Sequence, residues 1–270
     1  MKRLTSLMRR GDCSRRTPYG ATSRTEPMWR VVLLGMTLIA GPASAVECQQ
    51  ISYDGARFTT CKVDVGKDNL RLFLNDPMSG DPLGSFSSVE RNVRGEGGEL
   101  LFAMNAGMYH QDRSPVGYYV ENGKETKPLV MRDGPGNFGL LPNGVFCIRP
   151  NRTDVFETRR FDRDKPDCSF ASQSGPMLVI DGKLHPRFLK NSDSLYVRNG
   201  VGSSADGRTV WFVISEDRVN FHTFAKVFRD LLKTPQALYF DGNISRLYAP
   251  QLGRHDGGFP MGPIVGVVAD

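Results

Sequence analysis

The sequence has no Cys-x-x-Cys pair, no histidine-rich spacing and no acidic loop of the kind that wraps calcium. Those gaps remove the usual frameworks for zinc and calcium, so neither a metal nor a cofactor is expected. An internal period and a low-complexity tract are missing too, and no convincing linker breaks the chain after its first residues. The most apolar stretch near the start, VVLLGMTLIA at Val31–Ala40, falls short of the roughly 20 residues a membrane-spanning helix needs. Finally, an excess of one charge is missing once the first 45 residues are set aside. They hold eight of the 35 Lys and Arg and two of the 29 Asp and Glu, leaving 27 of each sign beyond them. The pI near 9.1 therefore belongs to the leader and gives no ground for a nucleic acid or an anionic membrane as partner.

What is present first is a leader. Residues 1–27 are basic and polar without apolar periodicity, which reads as disorder. Met28-Trp29-Arg30, the apolar run to Gly41 and the small residues Pro42-Ala43-Ser44-Ala45 then make an export signal ending at Ala45, and Met28 is a natural alternative start. The remainder, residues 46–270, is expected to be one domain, periplasmic or secreted, a monomer or small homo-oligomer with no stable membrane span after cleavage. It keeps four cysteines, Cys48, Cys61, Cys147 and Cys168, an even count in an exported chain. Three pairings are possible; the sequence-local one joins Cys48 to Cys61 and Cys147 to Cys168.

Alternation over Ala56–Val65 and Asn69–Asn75 predicts two strands, joined across Gly66 to Asn69 as an opening hairpin. Ser85–Val93 predicts a short helix, and Leu100–Met104 a short, continuously apolar strand. Further strands are expected at Gly117–Glu121, Gly144–Ile148, Pro176–Ile180, Leu195–Arg198, Thr209–Ile214 and Ala237–Phe240, with an edge strand in Phe259–Val268. Asn122-Gly123, Asn143-Gly144, Asp181-Gly182 and Asp206-Gly207 separate them and favour tight hairpins. One helix stands out, residues 220–232, where Phe221, Phe224, Phe228 and Leu231 or Leu232 recur at steps of three and four. Asn220 is its expected cap and Pro235 its end. The expected class is α+β, with mixed, mostly antiparallel sheets and this one main amphipathic helix.

Candidate site residues are polar groups placed where apolar strands stop. Asn105 follows LLFAM, Asp241 follows ALYF, Arg198 follows SLYV, and Gln173 precedes the strand at Met177. Strand ends hold side chains rigidly, and glycines beside them (Gly107, Gly202, Gly242) let a ligand approach the backbone. The competing reading is local: Asx turns for Asn105 and Asp241, a surface ion pair for Arg198.

The order FAMNAGMY, SQSGPMLVIDG, RNGVG, SEDRVNFHTFAKVF and ALYFDGNIS resembles the phosphodiester glycosidase family from about Leu100 to Val268. The resemblance implies that an Asn-Gly-Gly motif followed by aromatics falls on Asn105 to Tyr109, an Arg-x-Ala-x-Gly element on Arg198 to Gly202, and an Asp-Gly-Gly-Gly-Ser element on Asp241 to Ser245. Ala106 and Asn243 stand where glycines are typical, Gly200 replaces alanine, and Ile244 adds bulk to the last loop.

Cleaving a sugar C1–O–phosphate bond requires anion recognition, stabilisation of charge on the sugar ring and an activated water or a glycosyl intermediate. Arg198 is then the expected phosphate clamp, because a guanidinium matches phosphate oxygens in a fork. Asp241 is the expected carboxylate for water activation or oxocarbenium stabilisation. Asn105 would orient a hydroxyl or phosphate oxygen, with Ser245, Gln173 and Asn243 adding hydrogen bonds. His110, close behind the first motif, is either a proton donor or an exposed loop residue; His222 either faces a cleft or faces solvent. The expected partner is a sugar phosphodiester or envelope glycan. An alternative is a non-catalytic glycan-binding protein of the envelope, keeping Asn105 and the aromatics Tyr109, Tyr118 and Tyr119 without needing Asp241; another is a structural envelope protein whose junction residues satisfy only each other.

Overall fold

The computed structural model describes residues 46–269; the expected leader, signal segment and Met28 start lie outside them. Every strand pairing within the three sheets is antiparallel, so the α+β, mostly antiparallel class is as expected. The largest sheet has seven strands in the spatial order Glu47–Tyr53, Ala56–Asp64, Thr209–Ser215, Asn199–Ser203, Gln236–Asp241, Met177–Ile180, Lys183–Leu184. A second has five, in the order Arg254–His255, Leu247–Ala249, Glu99–Asn105, Ile264–Ala269, Asn69–Phe73. The third orders Lys124–Lys127, Tyr119–Glu121, Phe170–Ser174, Gly144–Arg149 and Arg152–Glu157. No helix among the described residues is long and apolar enough to cross a membrane.

The sheets meet over phenylalanines, at least one from each. Phe102 of the second sheet lies 5.0 Å from Phe212 of the first, and Phe146 of the third packs edge-on against Phe212 and Phe240 at 5.9 and 5.8 Å. All four rings are fully buried, and truncating any one to alanine is worth about 3–5 kcal/mol. Both local disulfides are formed, Cys48–Cys61 between register partners and Cys147–Cys168.

Turn chemistry predicts three of the hairpins well. Asn122-Gly123 and Asp181-Gly182 both have positive φ at the two central residues, and Asp206-Gly207 lies between the strands ending at Ser203 and starting at Thr209. Asn143-Gly144 makes no such turn: Gly144 opens a strand where a Cβ would sit 2.4 Å from the Met177 sulfur. The expected opening hairpin is also absent. Ala56–Asp64 pairs back onto Glu47–Tyr53 through an Asp54-Gly55 turn, while Asn69–Phe73 joins the second sheet beside Ile264–Ala269. The Asp64 carbonyl accepts from Lys67 and Asp68 N–H, and this turn hands the chain from one sheet to the next. Ile264–Ala269 lies inside its sheet rather than at the edge, because Pro260 and Pro263 precede the paired residues. Residues 195–198 hold only a single bridge, Tyr196 to Val219; the regular strand starts at Asn199.

The main helix is capped as expected, with Thr223 N–H donating to Asn220 Oδ1 at 2.9 Å. It runs as α-helix over Phe221–Lys226 and widens into a π-helix over Val227–Leu231. The extra residue in the turn changes the phase of the apolar stripe, so Phe224 and Phe228 are buried and Leu231 is left 45% exposed. The short helix Phe86–Gly95 is capped by Ser85 and buries Phe86, Val89 and Val93. A third, Thr158–Asp164, escaped the pattern because Phe161 is its one large apolar residue.

Candidate active site

Three strand ends from two sheets meet at one point. The Asn105 side-chain oxygen accepts from Asn199 Nδ2 at 2.8 Å and from Arg246 N at 3.0 Å, and its own Nδ2 donates to Asn199 Oδ1 at 3.3 Å. Asn199 Oδ1 also accepts from Asp241 N at 3.1 Å, and Asn199 Nδ2 donates to the Asn105 carbonyl at 3.0 Å. Both asparagines are completely buried, and in such a place each amide must find its partners inside the protein. The pair therefore locks the ends of strands Glu99–Asn105, Asn199–Ser203 and Gln236–Asp241 together. The Ser245 hydroxyl lies 2.9 Å from the Asp241 carbonyl and 3.1 Å from that of Val197, and ties the following loop to the same point.

Asp241 stands on the open side of this lock, in the wall of a cavity of about 710 Å3. Its Oδ1 accepts from Asn243 N at 3.0 Å, and the Gly242 and Ile244 N–H groups also act on the carboxylate. These amides favour the charged form, but burial outweighs them and pushes the carboxyl up to about 6. No cation forms an ion pair with it among the described residues. It is also the only carboxylate among the described residues lining the cavity.

Behind Asp241 stands a buried cation. Arg198 is 1% exposed and donates from Nε to the Val219 carbonyl and from Nη2 to the Ser194 carbonyl, both at 2.8 Å. Its guanidinium carbon lies 3.6 Å from the centre of the Phe221 ring, and Nη1 donates to the Tyr239 hydroxyl at 3.4 Å. Burial lowers its proton affinity, and the Tyr239 phenol is raised well above its ordinary range, also by burial. The Tyr239 oxygen fills the space beside Gly242, where a Cβ would sit 1.7 Å from it. Arg198 thus reaches the Asp241 loop through Tyr239 and does not line the cavity.

The opposite wall comes from the first motif. Residues 108–116 fold back as a tight hairpin, with Val116 N–H donating to the Met108 carbonyl at 3.0 Å and His110 N–H to that of Ser114 at 2.8 Å. It presents Tyr109, His110 and Arg113 to the cavity. Burial and the nearby Asp241 charge raise the Tyr109 phenol, whose hydroxyl donates to the Pro260 carbonyl at 3.2 Å. Phe259, 77% exposed, also lines the cavity.

Of the residues expected at the site, Asp241, Asn243 and His110 line the cavity, and Asn105, Gly242, Ser245 and Arg198 support it from behind. The others lie elsewhere. Gln173 spends its whole amide on Tyr118 N, Val130 N, the Val130 carbonyl and Thr158 Oγ1. Gly107 makes room for Ser172, whose hydroxyl donates to the Ala106 carbonyl at 2.8 Å. Gly202 lets Phe228 and Thr234 close on its strand. His222 sits half-exposed on the main helix, its proton affinity lowered by burial and then by Lys226, Arg229 and Lys190. Sequence reasoning overlooked Arg113, Asn199 and Phe259 as site residues. Only Asn199 carried a signal, its place inside the Arg198 to Gly202 element. Among the described residues no group of three or more His, Cys, Asp or Glu is gathered to hold a metal.

Residues 98–259 match the phosphodiester glycosidase family. YigE of Escherichia coli K12, described as uncharacterized, is 32% identical over 218 residues, which is 80% of this chain and 84% of that protein. The catalytic domain of zebrafish N-acetylglucosamine-1-phosphodiester alpha-N-acetylglucosaminidase, auto-inhibited by its pro-peptide, is similar with a TM-score of 0.58 at 14% identity, over 85% of this chain and 84% of that one. A hypothetical protein from Synechocystis gives 0.56 at 11% identity over 83% of this chain, which spans 62% of the cyanobacterial one. The two structures share the fold with this protein. With the family matched over more than half of its length and a relative at 32% identity, the chain belongs to the phosphodiester glycosidase family.

Proposed function

We propose that the protein is an exported hydrolase that cleaves the glycosidic bond between a sugar C1 and the oxygen of its phosphodiester in an envelope or extracellular glycan. The observation that carries this reading is Asp241: buried, free of any ion pair among the described residues, facing a cavity of about 710 Å3, and with its carboxyl pushed up to about 6. A carboxylate of that kind is ionised at neutral pH yet basic enough to take a proton from water. An ordinary glycosidase needs a second carboxyl group to protonate its leaving group. Phosphate leaves without such help, in keeping with a single carboxylate in the cavity wall.

In this reading Asp241 activates water or stabilises the positive charge on the sugar ring. Asn105 and Arg198 act through Asn199 and Tyr239, fixing the Asp241 loop. Export is supported by the two disulfides, which persist in oxidising compartments, and by the signal-like composition of residues 28–45.

The test is release of free sugar from a panel of N-acetylhexosamine 1-phosphodiesters by the purified protein, with Asp241→Asn alongside. Turnover by the wild type, reduced roughly 10²- to 10⁴-fold in the variant, is expected. Tight binding of the diesters, unaffected by the substitution and without release of sugar, would instead make the protein a glycan-binding member of the family.

A further inference from the structure

The three sheets have six outer strands, and five of them are guarded. Lys183–Leu184 and Arg254–His255 are two residues long. Lys124–Lys127 carries three charges in four residues, and Asn69–Phe73 carries Arg71, paired with Glu96 at 3.2 Å. Arg152–Glu157 has spent its outward N–H groups, Thr153 on the Gly207 carbonyl at 2.9 Å and Val155 on Ser203 Oγ at 3.1 Å. Shortness, charge and cover are the usual guards against another chain adding a strand. The sixth outer strand, Glu47–Tyr53, has none of them. It is seven residues long, pairs without a bulge, contains no proline, and its single charge is Glu47 at the first position.

Its pairing with Ala56–Asp64 decides which backbone groups are left over. The Asp54-Gly55 turn makes Tyr53 and Ala56 the closing pair of a two-residue hairpin. Further along, the Cα atoms of Cys48 and Cys61 are 4.0 Å apart, the close spacing of register partners that exchange no backbone bonds. Alternation then turns the N–H and C=O groups of Cys48, Gln50 and Ser52 away from the sheet. Among the described residues nothing bonds them. The Val46 carbonyl, next in the same series, accepts from Gln251 Nε2 at 2.8 Å, so the open stretch begins at Cys48.

We infer that this edge is a dimerisation surface, on which a second copy of the chain adds its own Glu47–Tyr53 strand, antiparallel, across a two-fold axis at Gln50. Gln50 then meets the partner's Gln50, Cys48 the partner's Ser52, and Ser52 the partner's Cys48, so every outward group of both copies is bonded. Moving the axis to Gln49 leaves Ser52 opposite the occupied Val46 carbonyl. Moving it to Ile51 leaves Cys48 opposite the Asp54 turn. The side chains complement one another in the same register. Glu47, held only by Lys62 at 3.8 Å, comes to lie opposite the partner's Tyr53, where the Lys226 ammonium stands 5.4 Å from the ring centre. On the other face the two exposed Gln50 amides adjoin, each a donor and an acceptor for the other. Charge and register together select a second copy over an unrelated peptide. A contact built on one strand pair is small, so the dimer forms at micromolar concentrations. The surface is separate from the proposed hydrolysis, since no residue of this strand lines the Asp241 cavity.

Sedimentation equilibrium of the purified protein between about 1 and 300 μM reads the association. The wild type should move from monomer towards dimer mass over that range. Gln50→Lys, which sets two ammonium groups face to face at the axis, should weaken dimerisation by about tenfold or more. Gln50→Pro should do the same with Tm held, because the N–H it removes bonds nothing within the chain. A pair of cysteine variants reads the register. With oxidised glutathione, the thiols of two Gln50→Cys copies should join in one intermolecular disulfide while the glutathione disulfide is reduced to two thiols, since the Cα atoms of such a pair stand about 5.5 Å apart. In Gln49→Cys the two positions lie more than about 7 Å apart, and cross-linking should be about tenfold slower or worse. Monomer mass throughout, Gln50→Lys dimerising within about twofold of the wild type, or Gln49→Cys cross-linking as fast as Gln50→Cys would each overturn the inference.

Discussion

The two sides of the strand-end junction make an informative pair. On the inner side stand Asn105, Asn199 and, further along, Gln173, polar and buried, with amides bonded to other parts of the chain. On the outer side stand Asp241 and Arg113, equally polar but without an ion pair among the described residues and facing a cavity. Asn105 on the inner side and Asp241 on the outer each end an apolar strand. What separates them is spare bonding capacity: a buried polar group whose partners are internal holds the fold, and one whose partners are incomplete is available for chemistry. Arg198 belongs to the inner side despite its charge, since its guanidinium lies on Phe221 and donates to backbone carbonyls.

The sharpest break in this contrast is expected at Asp241. Asp241→Asn should cost roughly 10²- to 10⁴-fold in kcat while leaving the protein more stable at pH 7.5. The sign follows from its carboxyl, raised from 3.8 to about 6 by burial. The folded state binds the proton more tightly, so this group's favourable contribution is complete below pH 3.8 and is lost as pH rises through about 6. Above that pH the ionised carboxylate costs about 3 kcal/mol. Urea denaturation at pH 4 and pH 7.5 should show wild-type stability declining between the two, with the decline largely absent in the variant. Equal declines in both proteins would place the titrating group elsewhere.

On the inner side the expected losses are in stability. Asn105→Ala strands Arg246 N and part of the Asn199 amide, and should destabilise by about 3 kcal/mol in urea unfolding. Asn199→Ala should cost a similar amount and the double variant much less than the sum, because the two amides act as one unit; strict additivity would mean that they do not. Arg198→Met should cost about 2–3 kcal/mol by removing the side-chain donor to the Ser194 carbonyl and one of the two donors to the Val219 carbonyl, which keeps Tyr196 N–H. Gly242→Ala touches both sides. Its Cβ would displace the Tyr239 hydroxyl, so about 1–2 kcal/mol of stability and part of the activity should fall together. Phe259→Ala should be the mildest: with the ring 77% exposed at the cavity wall, Tm should hold and KM rise by about fivefold or less through lost contact with the sugar.

Much of this junction is legible in the sequence because local chemistry sets it. The apolar runs ending at Asn105 and Asp241, the Asn220 cap and the Asn122-Gly123 and Asp181-Gly182 turns each follow from a few adjacent residues. What could not be read is where each polar side chain directs its bonds. Asn105 and Asn199 are 94 residues apart, and Gln173 is consumed by Val130, 43 residues away. Arg113, in Gln-Asp-Arg-Ser-Pro, looks like any exposed turn cation until the fold sets it in the wall of the Asp241 cavity. The misplaced opening hairpin has the same origin, since alternation marks a strand but not the sheet it joins.

The pH dependence of kcat/KM on an N-acetylhexosamine 1-phosphodiester, measured from pH 4 to pH 9, bears on all of this at once. If the Asp241 carboxylate carries the chemistry, log kcat/KM rises with unit slope and levels off above a pKa of about 6. A profile that stays flat between pH 4 and pH 7, with full activity where Asp241 is protonated, would contradict it.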